Sequence, residues 1–362
     1  MKYIDEFRNK NLIKKTVDEI IDIAPKDNIR IMEVCGTHTQ NFCRFALGNL
    51  LPSSIRFIAG PGCPVCVSDQ NYIDKAIALA KLKDTIILSF GDMLRVPGNA
   101  SSLEKQRAQG RDVRILYSCW DAIKIAQANP KKKVIFLAVG FETTAPTIAL
   151  TILAGKKENL QNLYFLSSLK LIPAAMRYLA EDKKLKLNAF LCPGHVSSVI
   201  GTKPYEFIPR SYKISCCVAG FEPLDILEGI YLVLRQIRLK KPAVVNQYTR
   251  AVTKDGNPKA RKIISQVFKI EDACWRGLGK IPQSGLNLKD AFIKFNAEEA
   301  FKIKPVACDL RPLTRCRCGD ILKGLISPQD CPLFARLCRP DTPVGPCMVS
   351  NEGACNAYYR YR

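Results

Sequence analysis

Short runs of apolar, largely β-branched residues recur from Ile29 to about Lys240, separated by stretches whose apolar positions fall three or four apart. The first pattern is that of strands buried on both faces, and the second that of amphipathic helices. Eight strands are predicted: IRIMEV (29–34), IRFIAG (55–60), TIILSF (85–90), VRILYS (113–118), KVIFLAV (133–139), LYFLSSL (163–169), LNAFLC (187–192) and KISCCVA (213–219). Helical periodicity is clearest in DQNYIDKAIALAKLK (69–83), TTAPTIALTILAG (143–155) and PLDILEGIYLVLRQI (223–237). Strands alternating with helices imply parallel sheets with crossover helices. Eight strands exceed what one small sheet usually holds, so the expected class is α/β with two Rossmann-like βαβ domains.

The rhythm fails twice. Residues 241–300 are more polar and are expected to form a linker plus a helical segment. Beyond Lys304 prolines are dense and seven cysteines lie between Cys308 and Cys355. The expected division is an N-terminal helical segment (1–28) packed on the C-terminal domain, an α/β domain (29–118), a second α/β domain (119–245) and a helical, Cys-rich C-terminal domain (246–362).

Composition narrows the possibilities. The chain has 362 residues, 47% of them hydrophobic, which is ordinary globular usage. Its first residues are charged and lack the apolar core of a secretory signal, and no run approaches the roughly 18 apolar residues of a spanning helix. A cytoplasmic protein is expected, and there sixteen cysteines point to metal binding or thiol redox chemistry rather than structural disulfides. The net charge of +22 is scattered, with no basic run longer than Lys131–Lys133 and no interleaved aromatics, so it makes no nucleic-acid footprint. A basic surface facing an acidic partner is the simpler reading.

The two histidines share a setting: His38 stands three residues after Cys35, and His195 three after Cys192. Cys35 follows a predicted strand, and Gly36 turns the chain into a helix. A thiol at a helix N-terminus beside an imidazole is expected to have a depressed pKa, making it a nucleophile or a soft metal ligand. Cys63-Pro-Val-Cys66 also falls between a strand and a helix, with Ser68 or Asp69 as N-cap. A helix N-terminus is expected to lower one thiol's pKa, and two thiols so placed on a glycine-rich loop open to a crevice can cycle through a disulfide, or can form a Cys3His zinc site with Cys35 and His38. Gly-Phe-Glu occurs twice at strand ends, in VGFETTAP (139–146) and AGFEPLDI (219–226), and Asp92 and Arg95 stand in SFGDMLRVPG (89–98). His195 reads equally as a core histidine. The Cys-rich tail has no histidine and no Cys-x2-Cys pair, so an iron–sulfur cluster suits its long spacings better than zinc, though both remain open.

Taken in order, EVCGTHT, GPGCPVC, SFGDMLRVPG, GFETTAPT, CPGHVSSVIG, AGFEPLDIL, CPLFARLC and GPCMVSNEGACNAYY resemble the HypD family of [NiFe]-hydrogenase maturation factors over nearly the whole chain. The resemblance implies a scaffold that works with the chaperone HypC to assemble the Fe(CN)2CO group. HypE, with HypF, would supply cyanide, and the hydrogenase large subunit would receive the product. It further implies that Cys35 is a ligand of the cargo iron and that Cys63 and Cys66 are a redox-active dithiol; His38, one helical turn on, would orient the Cys35 thiolate by hydrogen bonding, the favoured reading, or ligate the iron itself. It implies a resident [4Fe-4S] cluster on Cys316, Cys331, Cys338 and Cys355, in a domain similar to ferredoxin:thioredoxin reductase. Cys318 competes with Cys316 for the first position, and Cys347 is a spare. Two other classes stay open, a free-standing iron–sulfur thiol-disulfide oxidoreductase and a zinc-binding adaptor. No Walker-type loop is present.

Overall fold

Each of the eight apolar runs forms a strand in the computed structural model, which describes residues 2, 4–303, 308 and 316–361. They are β1 (Ile29–Glu33), β2 (Ile55–Ala59), β3 (Thr85–Ser89), β4 (Asp112–Ile115), β5 (Lys133–Gly140), β6 (Leu163–Lys170), β7 (Ala189–Pro193) and β8 (Ser215–Ala219). Three more follow, β9 (Val244–Asn246), β10 (Phe268–Trp275) and β11 (Gly279–Leu288). Parts of two expected segments, residues 1 and 3 of the N-terminal one and 304–307, 309–315 and 362 of the Cys-rich one, lie outside the described residues.

The strands make two sheets in a mixed α/β fold. One is wholly parallel, in the order β2-β1-β7-β8-β9. The other runs β10-β11-β6-β5-β3-β4, with parallel β6, β5, β3 and β4 and an antiparallel hairpin at its edge. The sheets take their strands from interleaved stretches: β1 and β2 join β7–β9, and β3–β6 join β10 and β11. The strand complement therefore does not divide at residue 118.

The hairpin corrects the expectation of a linker and helix at 241–300, which the Pro258–Val267 helix and the short Ala297–Ala300 helix fit in part. β10 is the edge strand of this sheet, and its residues Lys269, Ile270, Glu271 and Asp272 are all exposed, so its polar residues face solvent. That polarity hid the strands from a search for apolar runs. In the N-terminal segment, Val17 and Ile20 of the Lys10–Ile23 helix pack with Ile226, Leu227 and Ile230 of the Pro223–Arg238 helix, while Phe7 lies under the Arg250 guanidinium at 3.8 Å.

The largest core is shared by both sheets. It joins Met32, Ile58 and Phe190 of the first to Ile135 and Leu137 of the second, and takes in Leu322, Phe334 and Met348 of the Cys-rich tail. That tail packs over the C-terminal ends of β1, β2 and β3. Arg95 donates to the carbonyls of Pro340 and Val349, both at 3.1 Å, and Arg30 to that of Gly324 at 2.8 Å. Cys274 of β10 and Cys308 form a disulfide with Cα atoms 5.6 Å apart, against the expectation that no structural disulfide occurs. No helix among the described residues is long and apolar enough to cross a membrane.

The AGFEP segment is fixed by a buried ion pair. Asp225 is fully buried and takes both Arg250 Nη1 (2.8 Å) and Nη2 (2.6 Å), while also accepting from Gln247 and the Glu222 backbone. Removing one partner of such a pair leaves a buried charge unmatched. Asp225→Ala is expected to lower the unfolding free energy by about 3 kcal/mol in urea titration; a loss below about 1 kcal/mol, the scale of exposed pairs, would contradict this assignment.

Candidate functional site

The loops after β1 and β2 touch through their backbones. Gly36 N–H donates to Gly62 O at 2.9 Å, and Gly60 N–H to Glu33 O at 2.8 Å. A Cβ on Gly62 would lie 2.4–2.5 Å from backbone atoms of Cys35, so only glycine permits this approach. The CGTHT and GPGCPVC motifs, 28 positions apart at their first cysteines, are thus one structure.

Cys35 is the N-cap of the Gly36–Arg44 helix and is buried. Its N–H donates to Glu33 Oε2 at 2.8 Å, and Thr39 Oγ1 donates to the other carboxyl oxygen. Burial pushes Glu33 up to about 8, so it carries a proton at neutral pH. Glu352 arrives from the tail, accepting from Thr37 Oγ1 at 2.9 Å. Burial first, then the charges of Glu352 and Glu33, push the Cys35 thiol up to about 12. The expected depression of its pKa is therefore reversed: desolvation and two carboxyls outweigh the helix N-terminus.

His38 is fully buried, with Nε2 at 2.8 Å from Gly220 O and 3.3 Å from Ala219 O. Two carbonyl acceptors assign the proton to Nε2 and leave Nδ1 a bare lone pair, which finds no partner among the described residues. Burial lowers its pKa to about 4, so the ring is neutral. His195 is exposed rather than in the core and stacks on Phe221 at 3.9 Å, while His38 lies 5.0 Å from the same ring on tilted geometry. The two histidines therefore share an aromatic neighbour. Cys192, by contrast, is a core thiol beside Cys216.

Cys63 caps the short Pro64–Val67 helix, and Asp69, the better of the two predicted caps, accepts from Asn71 N–H at 3.1 Å. Cys63 and Cys66 are 3% and 0% exposed, so the expected open crevice is covered by the tail. Burial raises the Cys66 pKa, reversing a second expectation. Cys66 Sγ donates to Pro346 O at 3.8 Å and lies within hydrogen-bonding reach of Cys63 and Cys347. Cys347 in turn reaches Cys318, whose S–H and that of Cys66 hold it below the usual thiol range, and Cys318 reaches Cys316. A file of five sulfurs results.

Its far end opens on a cavity lined by six cysteines, Cys316, Cys318, Cys331, Cys338, Cys347 and Cys355, with Ile321, Leu333, Phe334 and Met348 between them. Val344 N–H points at Cys338 Sγ from 3.4 Å. No three His, Cys, Asp or Glu side chains among the described residues converge to hold a single ion. A four-iron cluster takes one thiolate per iron, so its ligands ring a cavity instead of meeting at a point; six thiols around an apolar hollow fit that group.

The residues singled out by sequence, Cys35, His38, Cys63, Cys66 and the five tail cysteines, fall in the structure into two joined clusters. Sequence reasoning missed Glu33, Glu352, Phe221 and the bridging position of Cys347. A glutamate inside the apolar strand IRIMEV was the one available signal. The Gly-Phe-Glu echo resolves into helix capping. Glu142 accepts from Ile172 N–H, at 3.1 Å on Oε1, at the start of the Ile172–Glu181 helix, and Glu222 forms a capping box with Asp225.

Comparison with known proteins agrees with these motifs. Residues 11–362 match the family model HypD, described as the hydrogenase formation hypA family. The chain is 44% identical to the hydrogenase maturation factor HypD2 of Bradyrhizobium diazoefficiens, over 100% of this chain and 97% of that one. It is 43% identical to the hydrogenase maturation factor HypD of Escherichia coli, over 100% and 98%, and 44% identical to that of Azotobacter vinelandii, over 100% and 97%.

Burial pushes the Glu142 carboxyl up to about 8. A folded-state pKa above the unfolded value means that the fold keeps a proton the unfolded chain has lost, so stability is intact below the unfolded value and declines as pH rises through the folded one. Glu142→Gln retains an acceptor for Ile172 and removes the titration. The stability of wild type relative to this variant is expected to fall between about pH 4.5 and 8 and to level off above; a constant difference across that range would refute the buried neutral carboxyl.

Proposed function

This chain belongs to the HypD family and is a hydrogenase maturation factor, and on that premise we propose that it is the scaffold on which the Fe(CN)2CO group is built. The observation that carries the reading is the backbone clasp that sets the cargo cysteine beside a file of sulfurs leading to the tail cavity. We read the two sheets with their helices as two Rossmann-like units and the tail as an iron–sulfur domain. The working partners in this reading are a HypC-type chaperone, HypE with HypF as cyanide donor, and the hydrogenase large subunit as eventual recipient, in the cytoplasm.

Cys35 binds the cargo iron. An iron carrying cyanide and carbon monoxide prefers soft, electron-rich donors, and a thiolate is one. The thiol is protonated in the free protein, so binding the cation releases that proton, which makes loading pH-dependent. Protonated Glu33 adds no charge to the site, and His38 contributes a neutral Nδ1 lone pair rather than a cation. These features support a site that both loads and unloads.

Cys316, Cys331, Cys338 and Cys355 hold the [4Fe-4S] group, which supplies single electrons at low potential when bound. That leaves Cys318 and Cys347 free, and their mutual contact supports a second role. Cys347 faces Cys66 as the more acidic thiol. Its thiolate attacks Cys66 of a Cys63–Cys66 disulfide and expels Cys63 as thiolate. Cys318 then displaces Cys66, so a Cys318–Cys347 disulfide forms as the Cys63/Cys66 dithiol is restored.

The test is infrared spectroscopy of the complex with its HypC-type chaperone, purified anaerobically. The wild type is expected to show cyanide and carbon monoxide bands and Cys35→Ala to lose them while keeping its iron–sulfur absorbance; bands retained in the variant would overturn the role of Cys35. Cys347→Ser is expected to keep that absorbance and to slow reduction of the Cys63–Cys66 disulfide by dithionite by about tenfold or more. Equal rates in the two proteins would remove Cys347 from the path.

A further inference from the structure

We propose that Arg276 is a positioning residue for the thiol cavity, its buried guanidinium charge setting the reduction potential of the group bound there. The proposal rests on the cluster reading given above. Arg276 is 9% exposed, at the turn between β10 and β11. One side of its guanidinium is anchored: Nη2 donates to Gln70 Oε1 and lies 3.5 Å from Pro97 O. Its own N–H donates to Val67 O at 2.9 Å, one residue beyond Cys66. Nη1 is buried and finds no partner among the described residues. No carboxylate pairs with the guanidinium within salt-bridge distance among the described residues. The Arg276 charge acts on buried Asp69 without pairing with it, and a buried cation with no directly paired anion is costly.

An anion for it is identified by what surrounds the turn. Gly277, the next residue, packs against Gly319 so closely that a Cβ on it would come within 2.3 Å of the Gly319 Cα. Gly319 follows Cys318, and the Arg276 charge acts on both Cys316 and Cys318. A thiolate-ligated cluster is a large, diffuse anion, and its potential is set by nearby charge and by hydrogen bonds to sulfur. A fixed positive charge favours the state with one more electron. Gln70 holds the guanidinium in place without neutralising it, as a carboxylate would. The backbone of this turn joins the residue after Cys66 on one side and the residue after Cys318 on the other, so the same charge biases electron distribution along the sulfur file.

The experiment is spectroelectrochemical titration of the full chain after anaerobic reconstitution, with iron and sulfide content measured alongside. Arg276→Gln is expected to bind the same iron and sulfide as wild type but to be harder to reduce by about tenfold, or about 59 mV for a one-electron couple. Arg276→Lys is expected to recover part of that shift. Should Arg276→Gln fail to hold iron, Gln70→Glu decides, since it leaves the arginine in place and pairs it: a lowered midpoint supports the proposal and an unchanged one overturns it. An unchanged midpoint in an iron-replete Arg276→Gln protein likewise overturns it. Wild type that binds no stoichiometric iron and sulfide would overturn the cluster itself, and with it the role of Arg276.

Discussion

Everything at the site depends on two close backbone approaches that side chains would forbid. Gly62 lies against the backbone of Cys35, and Gly36 lies against Glu352, where an added Cβ would come within 2.5 Å. Three segments far apart in sequence, the loops after β1 and β2 and the tail near residue 350, therefore share one volume. Parallel sheets supply the frame, because they deliver the C-terminal ends of successive strands to the same side and leave loops there to meet. Arg95 and Arg30 then fasten the tail over those loops.

The tail makes the site dry, and dryness sets its chemistry. Glu33 keeps its proton, His38 stays neutral and the thiols of Cys35 and Cys66 are held protonated, all for the same reason: charge is expensive where water is absent. Cys347 is the exception, kept acidic by neighbouring S–H donors rather than by solvent. Arg276 is the other, a permanent cation that burial cannot neutralise. In the reading proposed above, such a cradle, with most of its groups neutral, would hold the iron cargo without binding it beyond release.

The fold was legible where the polypeptide is buried on both faces. The strands of IRIMEV and KVIFLAV announce themselves because a central parallel strand has no wet side. The β10–β11 hairpin did not, because FKIEDACW turns polar residues outward at a sheet edge. Site residues were legible as local motifs, since Cys-x-x-Cys and Cys-Gly-Thr-His are short. Their pKa values were misjudged, because a helix N-terminus is visible in sequence whereas the lid that desolvates it comes from some 300 residues away. Cys347 looked redundant for the same reason: its meaning lies in reaching Cys66 and Cys318 at once, a juxtaposition that no spacing encodes.

The central claim is that the sulfur file is continuous from the dithiol to the tail. Disulfide mapping of a Cys63→Ser protein tests it most directly. With its nearer partner removed and the chain oxidised anaerobically with diamide, Cys66 should be recovered by mass spectrometry in a peptide linked to Cys347. Recovery of Cys66 unlinked, or joined to any thiol other than Cys347, would contradict the account.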